Sequence, residues 1–229
     1  MGVGESHPLS PHRLPTAFRA PPPMNLSPEP FELPLFPLQS VLFPDGLLAL
    51  KVFEARYLDL MGSCLRERRP FGVVALLKGG EVHKPGHGVS FENIGTVAEL
   101  IDVDGDTPGI LQVRSRGTQR FEIESSRQEP DGLWVARVQA QPADEVLAPS
   151  PSVHETVKGL ANAIATLKAQ GAAPFLTPYR FDDAGWVANR WCEILPISLA
   201  AKQKLMELPD PAVRLQLVDE FLRSKGVVS

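Results

Sequence analysis

The sequence predicts an α+β fold: a mainly antiparallel β-barrel with one embedded helix, followed by a C-terminal helical bundle. Two observations carry that prediction. Across residues 31–141, short runs rich in β-branched and aromatic residues alternate with turn residues, and a single helical pattern interrupts them. After residue 151 the strand signals stop, and apolar residues recur at steps of three and four. A chain of 229 residues with 43% hydrophobic content can bury a substantial core.

Residues 1–30 hold Pro8, Pro11, Pro15, Pro21, Pro22, Pro23, Pro28 and Pro30 among few large apolar residues. Such a stretch cannot bury enough surface to offset its ordering entropy, so a flexible leader is expected. Met24 stands just before the ordered pattern and is an alternative start. Residues 33–38 and 47–53 then read as strands. Their link, Phe43-Pro44-Asp45-Gly46, has turn chemistry: proline fixes φ, aspartate can bond the backbone ahead, and glycine tolerates positive φ.

A helix is expected over residues 54–68, with Tyr57, Met61, Cys64 and Leu65 on one face. Arg66, Arg68 and Arg69 suit the dipole at its end, and Pro70 follows. Glu54 and Arg56 are expected to brace its start. Residues 71–78 (FGVVALLK) read as a buried strand, and a polar loop spans 79–90. Strands are expected over 94–103, 109–116, 119–125 and 133–141, with turns at Asp104-Gly105-Asp106 and Arg116-Gly117-Thr118.

Residues 142–151 read as a linker. Ser152 and Glu155 have capping-box spacing, and Val153, Val157, Leu160, Ile164 and Leu167 then form one apolar stripe that Gly171 ends. A second helix fits 183–195, with Trp186, Val187, Trp191, Ile194 and Leu195 inward and Pro196 as its stop. Trp186 and Trp191 point about 140° apart on it; core packing is the favoured role for both. Ser198 caps a third helix carrying Leu199, Leu205 and Met206. Asp210-Pro211 opens a fourth with Leu215, Val218, Phe221 and Leu222 buried, completing a bundle over 152–229.

Chemistry is sparse. The net charge of −4 is too mild for a polyanion binder. There is no G-x-x-x-x-G-K-[ST], no G-x-G-x-x-G after a strand and no G-x-S-x-G. His83 and His87 are the leading metal candidates, but Pro85 and Gly86 lie between them, so a solvated turn is the expected reading and no cofactor is expected. Cys64 and Cys192 fall on apolar helix faces and read as buried, reduced thiols. Asp102, Asp104 and Asp106 lack the frame of a calcium loop. Arg114, Arg116, Arg120 and Arg127 are interleaved with Glu122 and Glu124, which cancels most of their field. No apolar run approaches the ~20 residues of a membrane helix, and no signal-peptide core is present, so a cytoplasmic location is expected.

Four stretches carry a resemblance. They are LPLFPLQSVLFPDGLLALKVFEARYLDLM (33–61), IGTVAELIDVDG (94–105), VRSRGTQRFEI (113–123) and WCEILPISLAAKQKLMEL (191–208). Together they resemble the N-terminal substrate-binding domain of Lon proteases, most of all the stand-alone Lon domain-containing proteins of bacteria. The resemblance implies a PUA-like β-barrel joined to a helical bundle, and a role in holding protein substrates. It brings no catalytic residues. The sequence shows neither a nucleotide-binding nor a Ser/Lys protease module, so ATP hydrolysis and proteolysis are not expected.

The expectation is therefore a non-catalytic protein- or peptide-binding module. Its partners would be unfolded or misfolded segments, with a protease or chaperone system as a second class. Phe43, Phe53, Tyr57 and Trp186 are expected to line an apolar groove where barrel meets bundle. Two alternatives stay open: RNA binding, because PUA-like barrels also serve RNA, and a small-ligand or metal site in the 79–90 loop. The near-neutral barrel opposes the first, so neither nucleic acid nor membrane is an expected partner.

Overall fold

The elements run β1 (Phe31–Leu38), β2 (Leu47–Val52), α1 (Ala55–Glu67), β3 (Phe71–Lys78), β4 (Ser90–Phe91), β5 (Ile94–Thr107), β6 (Ile110–Gln128) and β7 (Trp134–Ala140). A 3-10 turn (Pro151–Val153) then leads into α2 (His154–Ala169), α3 (Ala184–Ile194), α4 (Leu199–Glu207) and α5 (Pro211–Ser224). The structure, a computed structural model, describes residues 29–78 and 89–228. Most of the expected leader, and the loop holding His83 and His87, lie outside the described residues.

Five strands close into a ring. β1 pairs antiparallel with β7, β7 with β6, β6 with β5 and β5 with β3; β3 returns to β1 in parallel. Successive side chains of a strand face opposite ways, so each strand can serve two cores. Leu33, Leu35, Val74, Val97, Phe121, Ile123, Ala136 and Val138, drawn from all five ring strands, form one buried cluster. Phe36, Leu38, Phe71, Val73, Ala98 and Leu100 pack instead with Tyr57, Leu60, Met61 and Cys64 of α1. Tyr57 stacks on Phe36 with ring centroids 3.9 Å apart. Burial pushes the Cys64 thiol up to about 11, so it stays protonated and inert. Arg56 pairs with Glu54 at 3.0 Å and donates to the Gly132 carbonyl at 2.7 Å, which ties the start of α1 to the β6–β7 turn.

Two expected turns are corrected. β5 runs through Asp104-Gly105-Asp106 to Thr107, and the chain reverses at Pro108-Gly109, where Gly109 has φ +76°. Arg116-Gly117-Thr118 lies inside β6, opposite an irregularity in the β5 register between Thr96 and Ala98. Gly117 is there for close approach. Its amide donates to the Gly46 carbonyl at 2.9 Å, and its carbonyl accepts from the Asp45 amide at 2.8 Å. A Cβ at this position would collide with the Phe43 carbonyl oxygen. The β1–β2 loop is thus stitched onto the middle of β6.

In the bundle, Ser198 and Asp210 cap their helices as the sequence predicts, and Asp183, expected as the first helical residue, caps its helix instead. The expected capping box at Ser152 does not form. The 3-10 turn precedes α2, Val153 takes the capping position, and the Ser152 hydroxyl lies 2.7 Å from that of Ser150. Helix α3 is central: every residue from Ala184 to Cys192 is buried, both tryptophans included. Trp191 donates its indole N–H to the Thr156 carbonyl at 3.0 Å. Cys192 is pushed up to about 12 by burial.

A buried carboxylate joins α2 to α5. Asp219 accepts from the Thr156 hydroxyl at 2.5 Å and from Arg223 Nε at 2.7 Å. Burial alone would raise its pKa, but these hydrogen bonds and the Arg223 charge outweigh it and hold the carboxyl below the usual aspartate range. A pKa lower in the folded than in the unfolded state gives stability that is complete above the unfolded value. That stability is lost as pH falls through the folded value. Asp219→Asn should therefore cost about 1.5 kcal/mol at pH 7, with the exposed Arg223 limiting the effect. The gap from the parent should narrow in urea melts at pH 3; a gap that stays constant with pH would contradict the assignment.

Candidate peptide-binding groove

The junction of barrel and bundle is filled by a polar network. Arg120 of β6 donates to the carbonyls of Met206 (3.0 Å) and Leu208 (2.7 Å) and pairs with Asp144. Asp144, in the segment expected to be a linker, also accepts from Arg214 of α5 at 2.6 Å. Arg214 adds Asn189 Oδ1 at 3.0 Å and the Leu205 carbonyl at 2.9 Å. Arg190 of α3 donates to the Pro44 carbonyl at 2.9 Å and grips Glu193 through Nε (2.9 Å) and Nη2 (2.6 Å). The Thr96 hydroxyl reaches the Leu42 carbonyl at 2.6 Å, and the Gln203 amide reaches the Ile94 carbonyl at 2.8 Å. Arg190 and Arg214 rank among the largest fully buried side chains, at 0% and 1% exposure.

Sequence reasoning did not single out Arg190 or Arg214. A signal existed: Arg214 stands at helical spacing with Val218 and Leu222, on the apolar stripe of α5. Three of the four arginines of the barrel cluster pair with carboxylates, though not with the Glu122 and Glu124 expected to cancel them. Arg116 pairs with Glu99 at 2.9 Å, Arg120 with Asp144, and Arg127 with Glu32 and Glu129 at 2.5 and 2.9 Å. These cations are committed to internal partners.

Beyond the network, open clefts flank the β1–β2 loop. The first, about 500 Å³, is walled by Val41, Leu42, Leu47, Leu48, Phe175, Ile194, Ile197 and Leu199, with Glu193 and Lys202 among them. The second, about 390 Å³, lies against Ile101, Leu176, Pro178 and Trp186, and the Asp45–Arg180 pair borders it. The two follow consecutive residues of segment 174–178. A third, about 210 Å³, has mixed walls and reaches the Arg120–Asp144 pair.

The first cleft runs along a strand edge. It touches Leu47, Leu48 and Ala49 in succession. Successive strand residues face opposite ways, so contact with three in a row places a cleft beside the strand rather than over one face. Among the described residues β2 pairs with β6 alone. Its other edge presents backbone N–H and C=O groups that no ladder uses.

The four residues expected to line a groove are not brought together. Phe43 is wholly buried and inserts from the β1–β2 loop into the bundle core. Tyr57 is 3% exposed and belongs to the α1 cluster. Trp186, also 3% exposed, borders the second and third clefts and packs on Tyr179 and Phe181. Phe53 alone is open to solvent, at 56%. The first cleft is walled instead by Phe175 and aliphatic residues, with polar side chains among them. Among the described residues no group of three or more His, Cys, Asp or Glu side chains could hold a metal, and no helix is long and apolar enough to cross a membrane.

A closed, mainly antiparallel barrel with one embedded helix, locked onto a helical bundle, defines an α+β domain class. Residues 32–224 match the family described as the ATP-dependent protease La (LON) substrate-binding domain, and the chain belongs to that family, whose barrel is PUA-like. It is 28% identical over 217 residues to Lon protease 2 of Myxococcus xanthus, covering 93% of this chain and 26% of that protein. It is 26% identical over 212 residues to Lon protease of Anaeromyxobacter dehalogenans, covering 89% and 25%. The chain thus spans about a quarter of the length of these relatives. A solved Lon N-terminal domain protein from Xanthomonas campestris shares 32% identity and a TM-score of 0.67, over 82% of this chain and 96% of that one. The N-terminal domain of a Mycobacterium avium complex Lon protease shares the fold at 15% identity, with a TM-score of 0.58 over 84% and 98%.

Proposed function

We propose that this domain binds segments of other polypeptides without acting on them chemically. The segment lies extended beside β2, and its apolar side chains enter the neighbouring clefts. The observation that carries this reading is the first cleft, which combines an unpaired strand edge with aliphatic walls. Backbone pairing supplies affinity with little sequence preference, and the walls accept the apolar groups that an unfolded chain exposes. Membership of a substrate-binding family supports the same reading. The clients are unfolded or misfolded segments, and a separate protease or chaperone system would receive them.

The test compares a labelled, permanently unfolded client with its folded form by fluorescence anisotropy. The unfolded form should bind and the folded form should not. Leu199→Asp should weaken binding about tenfold, because a carboxylate in an apolar wall is costly to cover. It should leave the melting curve unchanged, because an acidic residue suits the first turn of α4. Equal, background-level signals for both client forms would end the proposal; full-strength binding by Leu199→Asp would remove this cleft from it.

A further inference from the structure

We infer that the first cleft prefers extended segments in which an internal acidic side chain lies close to a large apolar residue, with Lys202 as the residue that reads the acid. This deepens the binding role proposed above and rests on it.

Three charged side chains lie in or beneath the cleft, and they do not balance. The Glu193 carboxylate is engaged by Arg190 through two hydrogen bonds. That pair is internally neutral. Lys202 lines the same cleft and donates from Nζ to the Glu193 backbone carbonyl at 2.9 Å. It has no carboxylate within ion-pair distance among the described residues. An ammonium has three donors, and one is accounted for here. The carbonyl it caps lies in the last turn of α3, where the helix dipole favours a cation and holds it in place. The cleft therefore carries one net positive charge at a fixed position.

Leu47, Leu48, Phe175 and Ile197 stand beside that charge in an open cleft that Gln39 and Ser40 also line, so the charge acts through partial solvent screening. An acidic side chain on the incoming segment is attracted, and a basic one is repelled by the same ammonium. Attraction and repulsion together make a specificity filter. The recognised acid belongs to an internal residue because the chain can pass through: β2 continues to Val52 on one side, and the second cleft begins at Leu176 on the other.

The experiment uses the full chain and fluorescein-labelled twelve-residue peptides with blocked, amidated ends. Each carries a central Leu-Phe pair followed by Glu, Gln or Lys. The Glu peptide should bind about three- to tenfold more tightly than the Gln peptide, as expected for one partly screened ion pair, and the Lys peptide should bind most weakly. The preference should shrink between 50 mM and 500 mM salt. Lys202→Gln should abolish the Glu-to-Gln difference, and Lys202→Arg should keep it. Should Lys202→Gln fail to fold, the Glu-to-Gln ratio and its salt dependence in the parent decide the matter. Equal binding of all three peptides overturns the inference while leaving peptide binding intact. So does an acid preference that survives Lys202→Gln, or one that appears only with a free C-terminal carboxylate. Failure of every peptide to bind overturns the binding role itself.

Discussion

Arg214→Met will destabilise the fold by about 3–5 kcal/mol, the cost of breaking a buried ion pair from one side. The arginine is almost fully buried and serves four groups: Asp144, Asn189 and the carbonyls of Leu205 and Leu208. Methionine fills a similar volume but satisfies none of them. The Leu205 and Leu208 carbonyls sit where α4 ends, so they lose the partner that replaces onward helix bonding. Arg214→Lys should recover only part of the loss. A point-like ammonium cannot reproduce a planar fork of donors aimed at several acceptors. The double change Arg120→Met with Arg214→Met should cost less than the sum of the single changes, because both arginines share Asp144. Urea melts followed by far-UV circular dichroism and by the fluorescence of Trp134, Trp186 and Trp191 supply the readout. The two signals should fall together, since Arg120 ties β6 directly to the end of α4. A loss under 1 kcal/mol, or two separate transitions in the parent, would contradict this account.

The contrast between these arginines and the helix caps shows which parts of the molecule were legible. Ser198 and Asp210 could be read directly, because capping is a local contract between a side chain and amides two or three residues ahead. β3 was equally plain, because a short β-branched run between turn signals leaves few alternatives. Arg116-Gly117-Thr118 misled, because its glycine answers a non-local demand: the β1–β2 loop presses against it from 70 residues away in sequence. Arg190 and Arg214 were hidden for a related reason. An arginine on an apolar stripe reads as a stray charge until its acceptors are known, and those lie in other elements. The first cleft was invisible because its defining feature is that β2 has one strand partner among the described residues, which is a property of topology. The aromatic candidates failed to assemble because large apolar side chains near turns send the same sequence signal whether they fill a core or line a groove.

Phe43 puts that ambiguity to a decisive measurement. Phe43→Ala should cost about 3–5 kcal/mol, the range for emptying a buried phenylalanine site. The ring is wholly buried in the bundle core although its backbone belongs to the barrel's β1–β2 loop, so the cavity would open where that loop plugs the helices. Relaxation is restricted on both sides: Gly46 donates to the Phe43 carbonyl at 2.9 Å, and Gly117 packs against the same oxygen. A loop held this way cannot easily settle to fill the space. Phe43→Leu, which keeps most of the volume, should lose less than about 1.5 kcal/mol. Phe53→Ala, at an exposed position, should stay within about 0.5 kcal/mol of the parent. If Phe43 acts by packing, client affinity per folded molecule should remain within twofold for Phe43→Leu, and the stability series should follow the volume removed. A Phe43→Ala protein with parental stability and no client binding would place that ring in the groove after all.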